Sequence, residues 1–330
     1  MEPFDGFPHV LQSQQFHPET LERIFLVADA IRSAPERFSN ALAGRKVAVL
    51  FNQPSSRTRA SFQLAAQNLG ATVYAESNMA LFSSEVKGET PEDTARMFVE
   101  YGFDYFVLRL KQPGAITRVA EVVGRDHPVI NAGGGIDQHP TQALLDLNTI
   151  WRENHDLNRR IVILMVGDLE NGRTVRSLTY LMAKYPGVEF VFLSPSSAQM
   201  RQDLLDHLNE NGRQYAVRLD ACIGRVVVEF NPDIVYMTRA QLETIDDPGK
   251  RAQLEGDYKN LILTPDVADQ LKPEAIILHP LPRGPELPQE IDGNPRSRYF
   301  SQMGNGLWLR TALFERIEET MKRLLIRIHD

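Results

Sequence analysis

The chain has 330 residues, 42% of them hydrophobic and 24% charged, which is enough for two medium-sized domains of an ordinary globular protein. Its net charge of -7 argues against a nucleic-acid partner, which needs a basic surface. A single cysteine, Cys222, excludes an internal disulfide, no Cys/His spacing suggests zinc, and no apolar run reaches the length of a membrane span.

Met1 to Gln15 has no basic segment followed by an apolar one, so no signal peptide is expected and a reducing, cytoplasmic location fits. From there the chain alternates helical spacing with short apolar runs. The expected strands are Lys46–Phe51, Thr72–Ala75, Tyr105–Leu110, Val129–Asn131, Arg160–Val166, Glu189–Leu193, Ile234–Thr238 and Ala275–His279. The expected helices are Pro18–Ser33, Thr58–Leu69, Pro91–Tyr101, Ala115–Val123, Thr141–Asn154, Thr174–Lys184, Ala198–Asn211 and Asn305–Ile328. This alternation implies α/β architecture, with two doubly wound parallel-sheet domains. A polar stretch near Ile150–Asn158 marks the boundary, giving domains 1–150 and 151–304. Ligands in such folds bind outside the carboxyl ends of the strands.

The chemistry-bearing residues fall at those ends. Ser55-Ser56-Arg57-Thr58-Arg59 follows the strand Lys46–Phe51 through a turn at Pro54 and opens a helix. Unpaired N–H groups, the positive end of the helix dipole, hydroxyls and two guanidiniums converge there, which suits a small anion such as phosphate. Lys87 beside Gly88 is a loop ammonium, and Arg109 ends the strand Tyr105–Leu110. Asn131 to Gln142 joins a strand to a long helix through Gly133-Gly134-Gly135. Pro140 there suits a first helical turn, and His139 stands at the helix start with Gln142 one turn on. A neutral imidazole at that place can donate a hydrogen bond to a carbonyl oxygen. Arg173, Arg239 with Gln241, and His279-Pro280-Leu281-Pro282-Arg283 end three further strands. Taken singly, each is equally a solvated loop residue; together they suit a substrate with both a phosphate and carboxylates. Gln138 stands where a G-x-G-x-x-G motif needs its third glycine, and no G-x-x-x-x-G-K-[ST] loop occurs, so neither a dinucleotide site nor a nucleoside triphosphatase is supported.

In this order, Ser55–Arg59, Lys87-Gly88-Glu89-Thr90, His139-Pro140-Thr141-Gln142, Gly172-Arg173-Thr174-Val175, Tyr236 to Gln241, His279 to Arg283 and Gly304-Asn305-Gly306 resemble the aspartate/ornithine carbamoyltransferase family. The resemblance runs from near Pro8 to near Leu325. It implies an active site between a carbamoyl-phosphate-binding first domain and an aspartate-binding second one. The final helix, 305–328, would cross back onto the first domain. It also implies a homotrimer with shared active sites, open to a higher assembly with other subunits, and a reaction without metal or organic cofactor. In the reaction that the resemblance implies, the amine of L-aspartate attacks the carbonyl carbon of carbamoyl phosphate, a step of pyrimidine synthesis. By resemblance, Ser55, Ser56, Arg57, Thr58 and Arg109 hold the phosphate, and Thr58, Arg109 and His139 bond the carbonyl oxygen. Gln142 and the Leu281-Pro282 backbone hold the carbamoyl amide. Arg173, Arg239 and Gln241 bind the aspartate carboxylates, and Ser83 and Lys87 reach in from the adjacent subunit. Pro280 after His279, where ornithine-type members carry Cys, and the arginines Arg173 and Arg239 point to the aspartate type. Two positions depart from the pattern: Gln53 replaces a common Glu, and Gly284-Pro285-Glu286 replaces an acidic pair. A carbamoyltransferase with another acceptor, or a silent homologue serving as a binding subunit, are the alternatives. The joint presence of Arg57, Arg109, His139 and Arg239 favours an enzyme.

Overall fold

The structure is a computed structural model that describes residues 8–53, 55–77, 88–134, 138–154, 156–240 and 247–329, with the backbone alone at 250, 253, 254 and 325–329. The chain divides into two compact units, residues 1–148 with 304–330 and residues 149–303. Both boundaries fall inside helices.

In the first unit, α1 (Pro18–Ser33) precedes β1 (Lys46–Phe51), α2 (Ser56–Asn68), β2 (Thr72–Ser77), α3 (Pro91–Glu100), β3 (Tyr105–Arg109), α4 (Ala115–Val123), β4 (Val129–Asn131) and α5 (Pro140–Asn154). The strands form a parallel sheet in the order β2-β1-β3-β4. β1 is central, and every residue after Lys46 is buried, as a strand covered on both faces requires. Its alternation divides the core. Ala48 and Leu50 pack with Phe106 and Leu108 under Ala95 and Phe98 of α3 and Ile116 and Val119 of α4. On the other face Phe314 of the final helix meets Phe62 of α2 edge-on at 6.1 Å and Tyr105 of β3 at 5.9 Å.

In the second unit, β5 (Ile161–Val166), α6 (Arg173–Met182), β6 (Val188–Ser194), α7 (Gln202–Glu210), β7 (Tyr215–Leu219), α8 (Ile223–Phe230), β8 (Ile234–Met237), α9 (Pro248–Asp257), α10 (Pro265–Asp269) and β9 (Ile276–Leu278) build a parallel sheet in the order β7-β6-β5-β8-β9. Val162, Leu164, Val191, Val235 and Ile277 form one core with Ile223, Val226 and Val227 of α8 and Ala268 of α10.

The final helix, α11 (Tyr299–His329), begins six residues before its expected start at Asn305 and returns to the first unit as expected. Arg45 pairs with its Glu318 at 3.0 Å, the Tyr105 hydroxyl donates to the same carboxylate, and Arg32 of α1 donates to its Asn305 at 2.9 Å. The α/β class, the parallel sheets and the returning helix are as the sequence predicts. Three helices (α8, α9, α10) and the edge strand β7 were not expected. The helix expected from Ala198 starts instead at Gln202. The Ala198 carbonyl accepts the Leu169 and Glu170 N–H groups at 3.1 and 3.2 Å, so a loop after β5 takes the acceptor a helical turn would use. Among the described residues no helix is long and apolar enough to cross a membrane.

Candidate active site

In each sheet the strand order reverses beside one strand, leaving a crevice at the carboxyl ends of β1 and β3 in the first unit and of β5 and β8 in the second. In the first unit Phe51 of β1 is in register with Arg109, the last residue of β3, and the Asn52 N–H donates to the Arg109 carbonyl at 2.9 Å. The turn into α2 is thereby tied to Arg109. Gln53 is half-buried in that turn, and Pro54 lies outside the described residues. Ser55 is the N-cap of α2, extended at φ -160°, and its hydroxyl makes no capping bond; the first turn holds no acid. The N–H groups of that turn lack intrahelical acceptors, so they and the dipole attract an anion. Ser56 and Arg57 are exposed beside this end, and Thr58 is buried. Arg59 does not join them: its guanidinium donates to Ser77 at the end of β2 at 3.0 Å, which corrects the expectation of two guanidiniums at one point.

β4 lies next to β3 and feeds the third loop of this group. His139 is buried immediately before α5, and its Nδ1 accepts the Gln142 N–H at 3.2 Å. A backbone N–H can only donate, so in the neutral ring the proton sits on Nε2. Gly133, at φ +87°, lies under the imidazole; a Cβ there would stand 2.3 Å from His139 Cδ2. The Asn131 side chain accepts the Gly133 N–H at 2.8 Å and fixes this turn. The Gln142 amide nitrogen donates to buried Asp146 at 2.8 Å, which turns the amide oxygen to the other side as the acceptor. Arg310 of α11 is buried near this carboxylate, its guanidinium 4.9 Å from the Phe62 ring centroid and donating to Ser61 at 2.7 Å. Burial pushes its pKa down to about 10, with the Asp146 charge opposing. Gln138 accepts the Ser13 N–H at 2.8 Å and holds the N-terminal segment.

In the second unit Gly167 follows β5 at φ +120°, where a Cβ would lie 2.3 Å from the Thr238 carbonyl oxygen. Thr238, at the end of β8, donates its N–H and its hydroxyl to the Val166 carbonyl, each at 2.8 Å. These contacts hold the two crevice loops together, one leading to Arg173 and the other to Arg239. Arg173 is the first residue of α6, and desolvation lowers its pKa. The Asn171 N–H donates to Asp168 at 3.0 Å, shaping the approach to it.

The loop after β9 is held from within. Leu281 sits at φ +51°, its bond to Pro282 is cis, and its N–H donates to His279 Nδ1 at 2.8 Å. His279 Nε2 therefore carries the proton and donates to Glu286 at 2.9 Å; both side chains are buried. Burial lowers the His279 pKa against the pull of Glu286. Burial alone would raise Glu286, but the bonds from His279 and from the Gly284 N–H leave it lowered. Arg283 leaves this group and pairs with Asp292, donating from Nη2 at 2.8 Å.

The first unit thus brings Ser55, Ser56, Arg57, Thr58, Arg109, His139 and Gln142 to the ends of three neighbouring strands. The second brings Arg173, Arg239, Leu281 and Pro282 to the ends of another three. Ser83, Lys87 and Gln241 lie outside the described residues. Asp146 and Glu286 were not among the expected site residues. The signal for Asp146 was its i, i+4 spacing from Gln142 on a helix; for Glu286 it was an acid closely following a buried histidine at a strand end. Among the described residues no group of three His, Cys, Asp or Glu is placed to hold a metal ion.

The sequence pattern of the aspartate/ornithine carbamoyltransferase carbamoyl-P binding domain matches residues 8–152, and that of the Asp/Orn binding domain matches residues 159–317. The chain is 42% identical over 311 residues to aspartate carbamoyltransferase 2, chloroplastic, of Pisum sativum, covering 93% of this chain and 77% of that one. It is 37% identical over 305 residues to the aspartate carbamoyltransferase catalytic subunit of Vibrio campbellii, covering 92% and 94%. Crystal structures of aspartate transcarbamoylase from Trypanosoma cruzi are also similar. The complex with carbamoyl phosphate and aspartate has a TM-score of 0.85 at 31% identity, and the complex with carbamoyl aspartate and phosphate has 0.86 at 32%; each covers 96% of this chain and 98% of that one. With both domain patterns matched in order over most of its length, the chain belongs to the aspartate/ornithine carbamoyltransferase family.

Proposed function

We propose that this chain transfers the carbamoyl group of carbamoyl phosphate to the amine of L-aspartate, giving N-carbamoyl-L-aspartate and phosphate for pyrimidine synthesis. The observation that carries the reading is the gathering, in each unit, of anion-binding residues on the loops flanking its own switch point: Arg57, Thr58 and Arg109 in one, Arg173 and Arg239 in the other. The amine lone pair forms the C–N bond, the C–O bond to phosphorus's oxygen breaks, phosphate leaves with that electron pair, and the nitrogen gives up a proton. Ser55, Ser56, Arg57, Thr58 and Arg109 hold the phosphate. Thr58, Arg109 and the Nε2–H of His139 donate to the carbonyl oxygen as charge gathers on it, and each such donor contributes about 2.7–4 kcal/mol in comparable sites. The Gln142 amide oxygen and the Leu281-Pro282 backbone carbonyls accept from the carbamoyl amide. Arg173, Arg239 and Gln241 bind the two aspartate carboxylates. Holding the two reactants in line contributes roughly 7–11 kcal/mol more. Residues 1–150 with the returning helix serve carbamoyl phosphate and 151–304 serve aspartate. The working unit is a cytoplasmic homotrimer, with Ser83 and Lys87 supplied by a neighbouring subunit.

Steady-state product formation from carbamoyl phosphate with aspartate, ornithine and other amines tests the reading. Turnover with aspartate is expected; none with any amine, or turnover only with another amine, overturns it. Mixing Lys87→Ala with Arg57→Ala subunits tests the shared site. Activity is expected to return in the hybrids, and mixtures as inactive as either variant refute the sharing.

A further inference from the structure

Resting on the aspartate-transfer reading, we propose that Glu286 is a positioning residue that, together with His279, sets both the Leu281 backbone and the Arg239 side chain for substrate. One buried carboxylate oxygen of Glu286 accepts two donors, His279 Nε2 at 2.9 Å and the Gly284 N–H at 2.7 Å. The opposite edge of the same imidazole accepts the Leu281 N–H at 2.8 Å. A chain of three hydrogen bonds therefore closes the loop on itself, from Leu281 through His279 and Glu286 to Gly284. Leu281 sits at φ +51°, in the left-handed region that a leucine rarely adopts, so these bonds rather than local preference hold it there. Outside the loop, the His279 N–H donates to buried Gln302 at 3.1 Å, and the Glu286 carbonyl accepts the Leu263 N–H at 3.0 Å. The two ends of the loop are thus anchored, and Glu286 governs what lies between them.

Gly284 also makes the second connection, on the side where an added Cβ would meet Glu286 Oε2 at 2.8 Å. A Cβ placed there would stand 3.6 and 3.7 Å from Arg239 Cγ and Cδ, so the Gly284 backbone is packed along the stem of that arginine. The bond from Gly284 to Glu286 thereby supports Arg239 as well. Glu286 is 5% exposed and is assigned no substrate contact of its own. Its action runs through a backbone carbonyl assigned to the carbamoyl amide and a guanidinium assigned to aspartate. The acid that survives from the family's acidic pair is thus turned inward to brace the loop.

The test compares Glu286→Ala and Glu286→Gln in the full-length enzyme by three readouts: KM for aspartate, inhibition by inorganic phosphate, and thermal unfolding. The alanine variant leaves a buried imidazole N–H without its acceptor and is expected to raise the aspartate KM by about tenfold or more. Phosphate inhibition, which reports on first-unit residues, should change by less than about twofold, as for independent sites. The glutamine variant, whose side-chain oxygen accepts the same two donors, should restore KM close to that of the native enzyme. If Glu286→Ala does not fold, Glu286→Asp withdraws the oxygen by one methylene and should raise KM several-fold. An alanine or aspartate variant that is folded and less stable but keeps a native aspartate KM overturns the proposal. So does one that weakens phosphate inhibition as much as aspartate use. A native enzyme inactive with aspartate defeats the functional reading itself, and the proposal with it.

Discussion

Substituting Gly133 by alanine should slow catalysis through His139 while leaving the protein folded. The added Cβ would lie 2.3 Å from His139 Cδ2, 2.6 Å from Cγ and 2.7 Å from Nε2, whereas ordinary contact begins at 3.4 Å. Relief requires a displacement of roughly 1 Å, the size of misplacement that costs about 100-fold at a reacting centre. Neither side yields freely. The Gly133 N–H is held by Asn131 at 2.8 Å, and the imidazole is held by the Gln142 N–H at 3.2 Å. The ceiling is complete loss of one carbonyl-oxygen donor, about 10²–10³ in kcat. An alanine at φ +87° adds backbone strain of about 1–3 kcal/mol, less than the roughly 5–15 kcal/mol that holds a domain folded. The assay is kcat at saturating carbamoyl phosphate and aspartate for Gly133→Ala, His139→Ala and the double variant. If Gly133 acts only through the imidazole, the double variant is no slower than His139→Ala. A folded Gly133→Ala enzyme within about threefold of the native kcat, or a double variant slowed by the product of the single effects, refutes the reasoning.

Three other outcomes are expected. Arg109→Ala should lose about 10²–10³ in kcat with an unchanged far-UV circular dichroism spectrum, and a near-native rate would remove it from the site. Gly167→Ala forces a Cβ against the Thr238 carbonyl at φ +120°, so its unfolding free energy should fall by about 1–3 kcal/mol or more; an unchanged Tm would show that the two loops separate easily. Tyr105→Phe removes the bond to the Glu318 carboxylate and should cost about 1.5–3 kcal/mol in urea unfolding at neutral pH. Burial and that bond raise the Tyr105 pKa in the folded state, so its stabilisation is complete below the unfolded value of about 10 and declines as pH rises above it. The gap between native and variant stability should therefore stay constant between pH 5 and 8 and narrow as pH rises on the alkaline side, and a gap that narrows between pH 5 and 8 would contradict the assignment.

The parts of the fold legible in the sequence are those where burial is one-sided or complete. The central strands β1 and β5 read as Lys-Val-Ala-Val-Leu-Phe and Ile-Val-Ile-Leu-Met-Val because neighbours and helices cover them on every side. The edge strand β7 is only half covered, carries Arg218 among its residues and has no alternation to betray it. α8 hides behind three consecutive valines, a run that favours a strand in isolation and becomes a helix because Ile223, Val226 and Val227 fit one face against the second core. The early start of α11 follows from Tyr299, which the second core buries completely.

The candidate site divides along the same line. A residue at a strand end is placed by topology, so Arg109, His139, Arg173 and Arg239 were readable from motif and position alone. What a side chain does there depends on a partner that only packing supplies. Gln142 is an acceptor because Asp146 takes its nitrogen, and His139 is a donor at Nε2 because a backbone N–H takes Nδ1. Arg59 belongs to the same motif as Arg57 yet is spent on Ser77. Glu286 carries the point furthest. Read by position, Gly284-Pro285-Glu286 is an acidic pair reduced to one charge. Folded, that charge is buried, its pKa is lowered by two hydrogen bonds, and its removal would strand a histidine N–H and loosen the backbone against Arg239. An exposed carboxylate acts on solvent and charged neighbours over a screened distance of about 10 Å, whereas a buried, bonded one acts through geometry on the groups it touches. For that reason the loss of the partner acid at Pro285 need not weaken aspartate binding, while the loss of Glu286 should.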